Sequence, residues 1–191
     1  MEIDPAQLAS SHAVAYLSSK IRDVPNFPKE GIQFKDITTL VADARAFHIC
    51  LDLMAEPFIG SEIHAVAAME ARGFIFGGAL AARLNTAFVP VRKPGKLPAD
   101  VDEVSYELEY GDSRLQMHKG AIAPGARVLI VDDLLATGGT ADATATLVQG
   151  QGGVVAGFVF AIELDFLAGR DKLAAHVAGG APIHSLVHVT D

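Results

Sequence analysis

The chain has 191 residues, which suits one domain with at most a small appendage. Half of the residues are hydrophobic, enough for a sizeable core, while a formal net charge of −8 argues against a nucleic-acid partner, whose phosphates call for a cationic face. The lone Cys50 excludes an internal disulfide and a cysteine-based zinc cage, and fits a reducing, cytoplasmic setting.

Asp4 as N-cap and Pro5 at the first helical position open a predicted helix that ends near Arg22. No basic region followed by an apolar one precedes it, so no secretory leader is expected. The run Val24-Pro25-Asn26-Phe27-Pro28-Lys29-Glu30-Gly31 is too rich in proline for regular structure and is expected to be a loop. Asp43 caps a second helix, where Phe47, Cys50, Leu51 and Met54 recur at helical spacing. Strand and helix then alternate: Ile63 to Met69 as strand, Phe74 to Leu84 as helix, and Ala87 to Val91 as strand. Val101 to Tyr110 and Arg114 to His118 alternate in polarity around Gly111-Asp112, the pattern of a hairpin. A strand from Arg127 to Val131, a helix from Thr140 to Gln149 and a strand from Val154 to Ile162 follow. A helix over Asp165 to His176 and a strand from Ile183 to Val189 close the order. The Val154–Ile162 run is the longest apolar one and falls far short of the roughly 20 residues that span a bilayer, so no membrane association is expected.

Apolar strands interleaved with helices predict an α/β fold, an open parallel sheet flanked by helices, over a single domain 1–191. In such sheets ligands lie beyond the carboxyl ends of the strands. The run after Val131 is Asp132-Asp133-Leu134-Leu135-Ala136-Thr137-Gly138-Gly139-Thr140, leading into a helix. Two glycines between threonines form an anion cradle: backbone N–H groups approach phosphate oxygens, hydroxyls add donors, and the helix N-terminus adds positive potential. Two carboxylates would repel that phosphate, so they must face ribose hydroxyls, a Mg²⁺ ion or both, which implies a sugar phosphate. A Walker loop would need Gly-Lys-Ser/Thr and a dinucleotide loop Gly-x-Gly-x-x-Gly, and neither is present. A receiver domain carries its acidic pair early, whereas less than a third of this chain follows Asp133. An ordinary strand–turn–helix connection would also contain a glycine pair.

Further cations cluster in two places. Glu70-Ala71-Arg72-Gly73-Phe74 follows a strand and opens a helix, so Arg72 is either a second anion ligand or a surface partner of Glu70. Arg92, Lys93 and Lys96 surround Pro94-Gly95, which reads as a second anion-seeking turn or as a solvated basic one. On the hairpin, alternation places Glu107 and Glu109 on one face and Tyr106, Leu108 and Tyr110 on the other. Spacing alone makes those glutamates solvated. Phe34, in Gln33-Phe34-Lys35-Asp36, has the ordinary reading of a core aromatic. The seven histidines show no metal-ligand spacing.

Val131 to Thr140 resembles the phosphoribosylpyrophosphate signature of type I phosphoribosyltransferases, in the form typical of the adenine-specific members. Phe34 to Asp36, Glu70 to Gly77, Val89 to Pro98, Tyr106 to Gly111 and Glu163 to Leu173 resemble successive segments of the same family. The resemblance implies transfer of a 5-phosphoribosyl group from 5-phosphoribosyl-1-pyrophosphate (PRPP) to adenine, giving AMP and pyrophosphate in purine salvage. It implies a small N-terminal hood, about residues 1–36, a flexible hairpin flap that includes Tyr110, and a homodimer. Mg²⁺ would be carried by PRPP, with no direct protein ligand. Asp132 and Asp133 would fix the ribose, and Ala136, Thr137, Gly138, Gly139 and Thr140 would hold the 5-phosphate of PRPP or AMP. Pyrophosphate would meet Glu70, Ala71 and Arg72, with Arg92, Lys93 and Lys96. A non-proline cis peptide is expected at Glu70–Ala71. Adenine would stack on Phe34, read by the backbone of Gln33 and flanked by Lys35; Gln33 and Lys35 depart from the family's usual small apolar residue and Arg. Glu109 would manage the proton at purine N7, with Glu107 as its near-equivalent. Members acting on 6-oxopurines commonly carry an Asp where Ala136 stands, and a regulator that merely senses PRPP would need a basic DNA-binding module.

Overall fold

The computed structural model describes residues 5–107, 112–177 and 180–190, in two compact units, Met1–Leu53 and Met54–Asp191. The expected hood falls inside the first unit, which runs on to Leu53.

The first unit holds α1 (Pro5–Ser18), β1 (Arg22–Pro25), β2 (Gln33–Asp36) and α2 (Thr38–Ala42), and α3 (Ala44–Ala55) begins in it. Helix α1 is shorter than its expected end at Arg22, because Arg22 to Pro25 pairs antiparallel with Gln33 to Asp36. The proline-rich stretch is therefore partly strand: Pro25 lies at the end of a two-stranded ribbon, where its missing N–H costs least. Asp43 caps α3 as expected, its Oδ1 accepting from the backbone N–H of Arg45 at 3.1 Å and of Ala46 at 3.0 Å. Leu17, Ile37, Leu40, Ala46 and Cys50 are buried, and burial pushes the Cys50 thiol up to about 12.

Two carboxylates of this unit sit well below their ordinary range. Asp36 is brought to about 2 by the Thr38 backbone N–H at 2.9 Å and then by the Arg22 guanidinium. Asp43 is brought to about 2 by the Lys20 ammonium at 2.6 Å and then by the Ala46 backbone N–H. Carboxylates depressed on folding add stability above their unfolded pKa and lose it as pH falls through the folded one. Thermal melting should therefore fall from about pH 4 down to about pH 2. The Asp36→Asn/Asp43→Asn double variant should show a flatter fall over the same range; an identical slope would show that these two groups do not set acid sensitivity.

The second unit is a five-stranded parallel sheet with its helices. Its elements are β3 (Ala65–Met69), α4 (Gly73–Arg83), β4 (Ala87–Val91), a hairpin of β5 (Val101–Glu107) and β6 (Asp112–His118), β7 (Arg127–Leu135), α5 (Gly139–Gly150), β8 (Val154–Leu164), α6 (Gly169–Leu173) and β9 (Ile183–Val189). The sheet order is β4-β3-β7-β8-β9. Strand β3 is buried throughout and serves both faces by alternation. Ala65, Ala67 and Met69 join Val128, Ile130 and Leu147 in a cluster that also takes Leu115 and Met117 of the hairpin. Val66 and Ala68 instead meet Gly77 of α4.

Several elements differ from their expected extents: β3 begins at Ala65 rather than Ile63, and β8 runs on to Leu164 rather than ending at Ile162. Strand β7 runs on through Asp132 to Leu135, so the acidic pair lies within its carboxyl end rather than after it; Asp132 and Leu134 still pair with Phe160 and Ile162 of β8. The hairpin register sets Glu107 opposite Asp112. The expected helix over Asp165 to His176 is broken into a 3₁₀ turn, the five-residue α6 and a second 3₁₀ turn, with Ala168 left-handed at φ 51° between the first two.

Candidate active site

Reversal of strand order occurs between β3 and β7, since β3 leads to β4 on one side and β7 to β8 on the other. That switch point opens a crevice at the carboxyl ends of both strands, where open α/β sheets take their ligands. The segments leaving those two strands, Glu70 to Arg72 and Asp132 to Thr140, are the ones whose residue types suit phosphate and ribose.

A cavity of about 550 Å³ lies there, lined among others by Arg72, Lys93, Tyr106, Asp132, Asp133 and Thr140. Ala71, Glu70 and Ala136 also face it. A smaller adjoining recess of about 80 Å³ is formed by the loop from Leu134 to Ala141 with Asp132 and Phe160. Gly138 is left-handed at φ 78° and precedes the first turn of α5, whose leading N–H groups have no partner within the helix. Thr137 is exposed and Thr140 half-buried at the same turn. This is the geometry of a phosphate cradle at a helix N-terminus.

Opposite the cradle the electrostatics reverse sign. The Asp133 side chain is 5% exposed, and its Oδ2 lies 2.7 Å from Nε of Arg72. Asp132 is pushed well up from the ordinary carboxylate range by burial and by Asp133 beside it. Burial also pushes Asp133 up, against the pull of Arg72. The Asp133 backbone N–H donates to Asp132 Oδ1 at 2.9 Å, which fixes that carboxylate's orientation. Gly73 packs closely behind it: a Cβ there would come within 2.6 Å of Asp132 Oδ1. A buried and a half-buried carboxylate facing one space suit a ligand bearing hydroxyl donors or a cation.

The basic turn is more tightly built than spacing suggests. Arg92 donates from Nε to Glu70 Oε2 at 2.6 Å and from Nη1 to the Lys96 carbonyl at 3.1 Å. The Lys93 backbone N–H donates to Glu70 Oε1 at 3.0 Å. Burial raises the Glu70 pKa, but these two donors outweigh it and hold the carboxyl below its ordinary value. Arg92 thus braces the turn, Lys93 faces the cavity, and Lys96 stands exposed without lining it among the described residues. The Glu70–Ala71 peptide is cis, as expected.

Sequence reasoning missed Tyr106. Its hydroxyl reaches Thr140 Oγ1 at 3.4 Å, so strand β5 touches the cradle directly. Alternation had put Tyr106 on one hairpin face with Leu108 and Tyr110 but could not say what that face meets. Glu109 and Tyr110 lie outside the described residues, as does the side chain of Glu107. Gln33, Phe34 and Lys35 belong to the first unit, where Phe34 packs edge-on against Phe27 at 5.0 Å and Lys35 pairs with Asp23 at 2.7 Å. The histidines also gain a neighbourhood that spacing hid: Glu163, Asp165 and His188 bring ligand-type atoms within 4.8 Å of one another. The Arg170 guanidinium already occupies Glu163, so a cation there is supplied by the protein itself.

A parallel sheet with an anion cradle and a carboxylate pair at its switch point suits a phosphoribosyl-handling enzyme, and comparison with known proteins agrees. The model of the phosphoribosyl transferase domain matches residues 39–178. Adenine phosphoribosyltransferase of Sorangium cellulosum is 64% identical over 181 residues, covering 95% of this chain and 90% of the relative. The crystal structure of adenine phosphoribosyltransferase from Thermoanaerobacter pseudethanolicus superimposes with a TM-score of 0.86 at 50% identity, covering 92% of this chain and 99% of the other. The Saccharomyces cerevisiae enzyme complexed with an imino-altritol bisphosphate and adenine gives 0.84 at 38% identity, covering 92% and 99%. The chain belongs to the adenine phosphoribosyltransferase family.

Proposed function

We infer that this chain transfers the 5-phosphoribosyl group of PRPP to N9 of adenine, giving AMP and pyrophosphate. The observation that carries the reading is a shared crevice in which the Asp132–Asp133 pair, Arg72 and Lys93 stand beside the Ala136–Thr140 cradle. In this reading the cradle takes the 5-phosphate and the two carboxylates take the vicinal ribose hydroxyls. Arg72 and Lys93 meet the pyrophosphate, whose charge grows as the C1–O bond breaks, so cationic donors fixed in advance lower the barrier. Phe34, with Gln33 and Lys35, serves the base, and Glu109 holds the N7 proton. Ala136 leaves that role open to Glu109, since a methyl group can neither donate nor accept.

The donor set also fits Mg²⁺. Asp132 and Asp133 offer carboxylate oxygens, the donors a hard cation takes, and face the same cavity as Arg72 and Lys93. Mg²⁺ brought in on PRPP would supply charge neutralisation at the pyrophosphate, with the two carboxylates within its surroundings. Cytoplasmic location is supported by the single cysteine of the chain, Cys50, which suits a reducing compartment. A homodimer is supported by Ile75 of α4 and Phe88 of the edge strand β4, which are 41% and 37% exposed; sedimentation of the purified chain tests it. No helix among the described residues is long and apolar enough to cross a membrane.

The deciding assay offers labelled adenine, guanine, hypoxanthine and xanthine, each with PRPP, with and without Mg²⁺. Adenine alone should give its nucleotide, and chelation should abolish turnover. Equal use of a 6-oxopurine, or no turnover of any purine, would falsify this reading.

A further inference from the structure

The segment between β8 and β9 has no role in the chemistry so far described, yet it is tied down with unusual care. Glu163, at the carboxyl end of β8, is buried and accepts two bonds from one guanidinium: Arg170 Nε at 3.0 Å and Nη2 at 2.5 Å. The third arm of Arg170, Nη1, donates to the Ile183 carbonyl at the start of β9, at 2.6 Å. Arg170 is thereby fixed between two parallel strands, and a planar guanidinium bound on three nitrogens fixes the backbone that carries it. The residue immediately before it is Gly169, which is buried and follows the left-handed Ala168.

Gly169 lies flat on the cradle. A Cβ on it would run into the Ala136 carbonyl oxygen and would lie 2.9 Å from the Gly138 nitrogen and 3.0 Å from Leu135 Cδ1. The contact is reciprocal, since a Cβ on Gly138 would lie 2.7 Å from the Gly169 carbonyl oxygen. Two glycine backbones meet where neither tolerates a side chain. A loop of this kind, exposed at Thr137, needs support from behind if its N–H groups are to hold one geometry.

We propose that Gly169, held in place by the Glu163–Arg170 fork, is a positioning residue for the 5-phosphate cradle of residues 136–140. It touches no substrate and acts by setting the backbone of Ala136 and Gly138. The proposal rests on the reading that this cradle takes the phosphate, and one experiment separates the two. Amide hydrogen exchange of the unmodified chain is followed with and without saturating ribose 5-phosphate. Slowed exchange at 136–140 together with 168–172 is the expected result. Slowing confined to 136–140 overturns the proposal and leaves the phosphate site standing, whereas no slowing at 136–140 overturns both.

Variants extend the test with a readout that a merely structural role leaves still. Gly169→Ala should raise the Kd for ribose 5-phosphate by about 10-fold or more, because misplacing binding groups by a fraction of an ångström carries costs of that order. Arg170→Lys keeps the charge but loses the fork, and should raise the same Kd by a smaller factor. A variant that melts lower yet binds ribose 5-phosphate as the parent does would assign this segment to stability alone and overturn the proposal.

Discussion

Glu109→Gln should lower kcat and kcat/KM together by about 10²–10⁴-fold, the range a positioned acid or base contributes. Glu109 and Glu107 fall on one face of the hairpin by alternation, and sequence spacing treats them alike. Chemistry separates them. Attack by N9 changes the proton demand at N7 in the transition state, so a carboxyl at N7 acts there and little in the ground state. A group of that kind is seen in kcat rather than in KM. Glu107→Gln should change either constant little, the outcome expected of a glutamate that takes no part at N7. Both substitutions are isosteric and both leave Ala136 in place, so a difference between them reports position rather than bulk. Steady-state kinetics with adenine varied at saturating PRPP distinguishes the outcomes. A crippled Glu107→Gln beside a near-normal Glu109→Gln would move the role two residues along the chain. Two near-normal variants would leave catalysis to positioning and to phosphate electrostatics.

What was legible beforehand divides along physical lines. Strands β4 and β9 were found to the residue because short β-branched and apolar segments flanked by turn residues have few other solutions. The capped start of α3 was legible for a similar local reason: Asp43 satisfies orphan N–H groups whatever lies around it. Strand β7 was cut short because Asp132 and Asp133 look like the end of a buried strand, and only pairing with β8 reveals that the backbone continues extended beneath them. Strand β1 was hidden by Pro25, which an edge position tolerates and a central one does not. The break at Ala168 left no mark on periodicity, since it follows from the cradle on which Gly169 packs.

The site shows the same division. Glycines, threonines and paired carboxylates advertise phosphate and ribose because few residue types do that work, so the loop from Asp132 to Thr140 could be read directly. Contacts created by folding could not. Neither the Tyr106 hydroxyl on Thr140 nor the use of Arg92 as a brace for Glu70 and Lys96 is encoded at any local spacing. Arg92, Lys93 and Lys96 formed one cluster in the sequence and have three different surroundings in the fold.

The acidic pair carries the other large expected effect. Asp133→Asn should weaken AMP binding by about 10- to 100-fold, since a hydrogen bond to a charged group is worth roughly 1.5–3 kcal/mol. Adenine lacks the ribose, so its affinity should stay close to that of the parent chain. AMP also lacks the pyrophosphate that Arg72 is proposed to meet, so loss of the Arg72–Asp133 pair does not confound the comparison. Asp132→Asn tests the same pair from the side of stability. The Asp132 carboxyl is pushed up by burial and by Asp133, so the folded chain holds a proton that the unfolded chain releases at lower pH. Linkage then makes the ionised pair a liability that grows as pH rises above the unfolded carboxylate value of about 3.9. Asp132→Asn, without ligand, should accordingly melt higher than the parent at neutral pH, with the gain shrinking toward about pH 4. The same variant should bind AMP more weakly, the signature of a site whose stability has been given up for binding. Lower melting at neutral pH, or equal losses for AMP and adenine, would instead make the two carboxylates part of the scaffold, and the ribose would have to be held elsewhere.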